Sequence, residues 1–331
     1  MAGDYTIGIG TVGAGLHFSY DGGGGWRHIY KHLNPEGNVR SLAVFPDDPH
    51  HILAVSDRAG LFESHDNGYR WEPLDSPITD CEIWSIGLDA NHPERIYIGA
   101  RPGGYRSTDK GQSWQRMDMG IGDECPIGIP RTTNMVVDPR NSDIVWAGVE
   151  VDGIYRSDDA GDTWRHLADI GPTPFHGDIH GLTVRTGEPT HIIATTPFGM
   201  ATSADEGETW DWREFDGFGT KGSGNPFAYC RGVFVKPDDP DTVLMGCGDY
   251  IPGQVGAIEV THDGGQSWTR ASLPTDANST VYWMAMHPDV QDVVVAATVF
   301  GQVFVSENSG DSWDQLPREF GEIRAVSLSP N

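Results

Sequence analysis

The segment Phe175-His-Gly-Asp-Ile-His180 places two histidines around one aspartate. A histidine held in one tautomer by a carboxylate can act as a base near neutral pH. Arg40, Arg231 and Arg324 add a second kind of chemistry, because arginines held close together repel one another and an anion bound among them is attracted by all three. Neutralising a substrate carboxylate in this way makes the adjacent C–H more acidic. His180 or Tyr282 then removes the proton, and a neighbour, with Asp178 and His176 on the same approach, protonates a leaving oxygen. Trp84 offers a stacking wall and Tyr229 and Tyr282 stand opposite the histidines, while Thr133, Arg131 and Asp249 complete the expected binding set. No metal site is assigned: His176 and His180 are four apart on a loop entering a strand, which lacks the helical geometry of a persuasive zinc pair.

These residues are brought to one place by a repeat. The pattern [ST]-x-[DN]-x-G-x-x-W occurs seven times, centred on Asp21, Asp66, Asp109, Asp159, Asp205, Asp263 and Asn308, with successive spacings of 45, 43, 50, 46, 58 and 45 residues. That period belongs to propeller blades. In each copy the acid can accept hydrogen bonds from backbone N–H groups two or three residues on, the glycine permits a tight turn, and a buried indole opens the next strand. Each repeat reads as four strands, with a glycine before the motif turning the second strand into the third. The chain starts in a second strand, near Tyr5–Thr11, and ends in a first, so the C-terminal strand is expected to complete the N-terminal blade. The expectation is all-β: residues 1–331 as a single seven-bladed β-propeller of four-stranded antiparallel blades, its ring closed without a long open sheet edge.

Alignment of the innermost strands gives two wholly apolar columns, Val44, Leu88, Val137, Val184, Val235, Met286, Leu328 and Leu42, Ile86, Met135, Leu182, Val233, Met284, Val326. These read as faces packed between blades. Two residues earlier the column becomes Arg40, Trp84, Thr133, His180, Arg231, Tyr282, Arg324: a polar and aromatic ring at the end of the axis away from the motifs, where a concave funnel is the natural ligand site. The longest connections into this ring, 119–131 and 215–230, and the longest inner turn, 247–256, weight function toward blades four to six. Cys230 and Cys247 fall opposite each other in blade six, with a reduced thiol pair expected ahead of a disulfide or a metal site.

The motif resembles the Asp-box, or BNR, repeat of sialidases, sortilin-type receptors, xyloglucanases and the photosystem II assembly-factor group. The resemblance covers every blade, and it implies that the box acids are folding residues away from the binding face. The three arginines with Tyr282 resemble the sialidase site in residue types, although sialidases have six blades and an early Phe-Arg-Ile-Pro segment that this chain lacks. Several polysaccharide-lyase groups are similar in placing His, Tyr and Arg at the centre of seven blades.

Composition narrows the partners. The formal net charge is −26, with four lysines against 18 arginines, so nucleic acid is not expected as a partner, because phosphate binding needs a basic footprint. The same bias suggests a salt-rich, halophilic cytoplasm or a GC-rich bacterium. No basic and apolar leader and no run of eighteen apolar residues is present, so a cytoplasmic location and no membrane partner are expected. With no P-loop, dinucleotide fingerprint or nucleophile elbow, no cofactor is expected. The leading expectation is a cofactor-free hydrolase or lyase acting on a small carboxylated or sugar-acid molecule. The alternative is a non-catalytic scaffold binding a peptide or protein across the funnel face, as the assembly-factor resemblance implies.

Overall fold

The computed structural model describes residues 3–331 except 57–59, 79–80, 127 and 188. Seven four-stranded antiparallel sheets follow one another around an axis. Blade two shows the plan, with strands Val39–Phe45, Asp48–Ser56, Gly60–Ser64 and Glu72–Leu74 running from the axis outward. Blade one is composite: Ile323–Pro330 is its innermost strand, followed by Tyr5–Thr11, Leu16–Ser19 and Arg27–Ile29. Ile7 pairs with Leu328 and Ile9 with Val326 across the closure, so the expected ring forms from the two ends of the chain.

Among the described residues, the core is not one mass. Apolar side chains gather instead in seven clusters, each wedged between neighbouring blades; one joins Leu16 and Phe18 of blade one to Ile52, Ala54 and Trp71 of blade two, with Leu42 and Val44 packed against it. The two apolar columns of the inner strands thus fill the gaps between blades, as their alternation indicates.

The boxes form the turns between third and fourth strands. In box three the Ser107 Oγ accepts the Gly111 N–H at 2.8 Å, Asp109 Oδ1 accepts the Ser113 N–H at 2.8 Å, and the Trp114 indole donates to the Gly111 carbonyl at 3.0 Å. The aspartate therefore reaches four residues on, not two or three, because the serine hydroxyl and the turn interior already occupy the nearer positions. The indoles also depart from expectation. Trp71 and Trp313 are buried, at 2% and 6% exposure, whereas the other five are half-buried lids over the turn. The box glycine also sits close to the neighbouring blade: at Gly68 a Cβ would stand 2.5 Å from Phe18 of the preceding blade. Gly23, Gly111, Gly161, Gly207 and Gly310 likewise face side chains of a neighbouring blade, so these boxes are clasps between blades as well as turns. Cys230 does pair with Cys247 across the first two strands of blade six, and both are buried free thiols.

Candidate functional site

Six of the seven ring residues sit at breaks in strand register. Arg40, Trp84, Thr133, Tyr282 and Arg324 are each the extra residue of a bulge between first and second strands, and Arg231 with Gly232 faces a single residue of its partner strand. His180 lies just ahead of its strand, its N–H donating to the Thr195 carbonyl at 2.8 Å. A bulge re-aims one side chain and ends regular pairing. This is why the apolar columns stop here and a polar ring begins.

Around the ring, cations alternate with aromatic faces. The Arg40 guanidinium lies 4.4 Å from the Trp84 ring centre, and Arg131 lies 4.8 Å from the same indole. Arg231 lies 4.1 Å from the Tyr282 ring, donates to the Tyr282 hydroxyl, and reaches the Tyr229 hydroxyl at 3.4 Å. Arg324 lies 4.7 Å from the centre of the same Tyr282 ring, and its Nε and Nη2 both reach Glu322 Oε1. The expected three-arginine clamp is therefore distributed: each guanidinium already rests on an aromatic face, and Arg231 and Arg324 share one.

His180 is 3% exposed. Its Nδ1 faces the Cys230 carbonyl at 2.8 Å, so the proton of the neutral ring sits on Nδ1. Nε2 then accepts from the Tyr229 hydroxyl at 3.4 Å, and Asp178 Oδ2 lies beside it at 3.3 Å. Burial, aided by the charge of Arg231, lowers the imidazole pKa and keeps the ring neutral. Burial alone would raise Asp178, but its approach to the His180 imidazole and the charges of Arg231 and Arg131 bring it below the usual carboxylate range. Burial would likewise lower Arg231, yet Tyr282, Tyr229, Asp178 and Glu150 more than offset it and raise its pKa. Tyr229 is pushed up to about 12, first by burial, and stays a hydroxyl donor.

Several expected site residues have other duties. Thr133 donates its hydroxyl to the Ile179 carbonyl at 2.7 Å, tying blade four to blade five. His176 does not join His180: a 3-10 turn over Pro174–Gly177 packs its ring against Phe198 and Trp212, 4.9 and 4.7 Å between centres. Asp249 is 3% exposed and organises the long inner turn, accepting the Gln254 N–H at 2.8 Å; its carbonyl accepts the Ser223 hydroxyl at 3.0 Å, so the two blade-six insertions dock on each other. Tyr282 meets Arg231 rather than His180, and it is Tyr229 that lies over the histidine, 4.9 Å between ring centres.

No repeat column points to Glu150, which follows the second strand of blade four and pairs with Arg131 at 2.9 Å. Burial, with Asp178 adding to it, raises its pKa against the pull of Arg131. Glu322 was equally silent. Both stand outside the repeat columns, where only a loop meeting a neighbouring blade reveals them. A cavity of about 190 Å³ lies on the axis, lined by Arg40, Trp84, Thr133 and Arg324 and by Leu42, Ile86, Met135, Met284 and Val326 of one apolar column. His180, Arg231 and Tyr282 are not among its walls. Trp84 Nε1, Arg131 Nε, Asp178 Oδ1 and Arg231 Nε are buried without a protein hydrogen-bond partner, which concentrates unspent polar capacity at this end of the propeller.

Residues 24–171 match the family model described as photosynthesis system II assembly factor YCF48. Among curated proteins, the chain is 28% identical over 290 residues to a probable oligoxyloglucan-reducing end-specific xyloglucanase of Neosartorya fischeri, which covers 83% of this chain but 32% of that protein. It is 23% identical over 297 residues to the photosystem II assembly lipoprotein Ycf48 of a Synechococcus species, covering 87% of this chain and 78% of that one. The chain thus spans about a third of the length of the xyloglucanases it matches. A solved structure described as YCF48 bound to D1 peptide superposes with a TM-score of 0.57 at 20% identity, covering 85% of this chain and 81% of that one. At that identity the likeness speaks for the fold.

Proposed function

We propose that this chain, a seven-bladed β-propeller of BNR/Asp-box repeats, is a binding module that holds a carboxylate-bearing peptide or protein segment across its ring face. The observation that carries the reading is which groups are within reach. Arg40 and Trp84 line the axial cavity, with Arg131 against the same indole, whereas the acid–base candidate His180 is enclosed with both nitrogens engaged. Around the funnel, the loops and turns adjoining the ring expose Ile129, Phe175, Tyr250 and Phe300, at 43%, 58%, 59% and 48%. Large apolar side chains rimming a cationic centre suit a peptide that brings both side chains and a carboxylate. The relative that matches along most of its own length is an assembly protein, and a structural relative is described as binding a peptide.

The test is fluorescence polarisation with a library of labelled peptides bearing free C-terminal carboxylates, each paired with its amidated form. Binding is expected to favour the free carboxylate and to weaken at least about tenfold, some 1.4 kcal/mol, in Arg40→Ala and Trp84→Ala. Equal binding of both peptide forms, or none, counts against the reading.

One observation favours a second reading, glycoside hydrolysis. Glu150 is raised and Asp178 lowered, and two carboxyl groups driven apart in this way can serve as acid and base. The xyloglucanase relatives lend this support. Release of new reducing ends from xyloglucan oligosaccharides, lost in Glu150→Gln, would replace the binding reading with this one.

A further inference from the structure

At the opposite end of blade two, His51 on the second strand and Glu63 at the end of the third meet His65 in the box turn. The pairing of Ile52 with Ser64 and Leu53 with Glu63 puts all three on one face of the hairpin. Glu63 Oε2 lies 3.1 Å from His51 Nε2 and 3.4 Å from His65 Nε2, and all three donor atoms fall within 4.8 Å of one another. A tetrahedral ion bound at about 2.0–2.2 Å holds its ligand atoms roughly 3.3–3.6 Å apart, so two of the three edges already have close to the span that one ion requires.

We propose that His51, Glu63 and His65 form a binding site for a divalent first-row transition cation of the Zn²⁺ class. Two imidazoles and one carboxylate are the donor set such ions favour over Mg²⁺ or Ca²⁺. The imidazole of His51 is fixed by Phe45, stacked at 3.8 Å, and His65 closes over it at 4.0 Å. His65 has 64% of its side chain exposed while His51 has 7%, so the ion would be anchored from below and open to solvent or a further ligand above. The repeat supplies an internal control. At the three equivalent positions no other blade has more than one histidine, His191 in blade five and His262 in blade six, so the propeller does not need this triad to fold.

The test is Zn²⁺ titration of the full chain against a chromophoric chelator, with Co²⁺ substitution to read coordination from its visible bands. One ion per chain at micromolar or tighter affinity is expected, with the strong absorption of a four-coordinate site. His65→Ala, Glu63→Gln and His51→Ala should each weaken binding at least tenfold, whereas His262→Ala should not. Because His65 is exposed, its replacement leaves the fold intact and remains decisive should His51→Ala fail to fold. Absence of Zn²⁺ uptake by the folded wild type, or uptake equally strong in His65→Ala, overturns the proposal.

Discussion

Arg231 sits where a guanidinium has little water, and what keeps it charged is the ring around it. Its hydrogen bond to Tyr282 and its approach to Tyr229 replace hydration, and Asp178 and Glu150 supply balancing charge. Tyr282 is 5% exposed, so its hydroxyl works inside the protein rather than toward a ligand. Tyr282→Phe removes that acceptor and leaves part of a buried cation unsatisfied, which costs about 1–3 kcal/mol. Urea unfolding should show a lower midpoint at unchanged slope. An unaltered midpoint would mean that the hydroxyl is free to face a ligand, returning Tyr282 to the catalytic role its column first suggested.

The box is the element on which the ring depends, because one short turn satisfies its own N–H groups and grips the blade before it. Gly68 has φ +83°, and a Cβ there meets Phe18; Gly103 has φ +73° with nothing within 4 Å of an added Cβ. Gly103→Ala should therefore cost only the backbone strain, about 1 kcal/mol, and Gly68→Ala that strain plus overpacking of another 1–3 kcal/mol. Thermal unfolding of the two variants compares them directly, and equal losses would show that the box is merely a turn. This division also marks what the sequence makes legible. Boxes, blade count, closure and the Cys230–Cys247 register follow from local pattern, because every blade repeats it. The ring column is legible as a set of positions, but not its contacts: bulges at Arg40, Trp84 and Tyr282 turn side chains off the simple alternation. Glu150, Asp249 and His176 take their roles from loops that meet only after folding, where repeat alignment carries no information.

Across the whole molecule, two effects of protonation oppose each other. With a formal net charge of −26, adding protons relieves self-repulsion and favours the compact state. Specific sites pull the other way. Burial lowers His17 from 6.5 to about 4, and lowers His180, His191 and His287 in the same direction. A histidine depressed in the folded state contributes stability above its unfolded pKa, and that contribution is lost as pH falls from about 6.5 toward the folded value. Box hydrogen bonds lower Asp205 and Asp263 from 3.8 to about 2, so their contribution is lost over the window below about 4. Salt separates the two effects, since the screening length shrinks from about 30 Å at 0.01 M to 3 Å at 1 M while buried sites are screened far less. In molar salt the unfolding temperature should fall by several degrees between pH 6.5 and 4 and again toward pH 2. At low salt the first decline should be shallower and should start from a lower temperature, because relief of repulsion offsets the histidines there. Calorimetry over the six combinations of pH and salt reads this directly. An unfolding temperature that rises toward pH 4 in molar salt would show that the buried histidines accept protons within the fold, and that the ring around His180 opens to solvent.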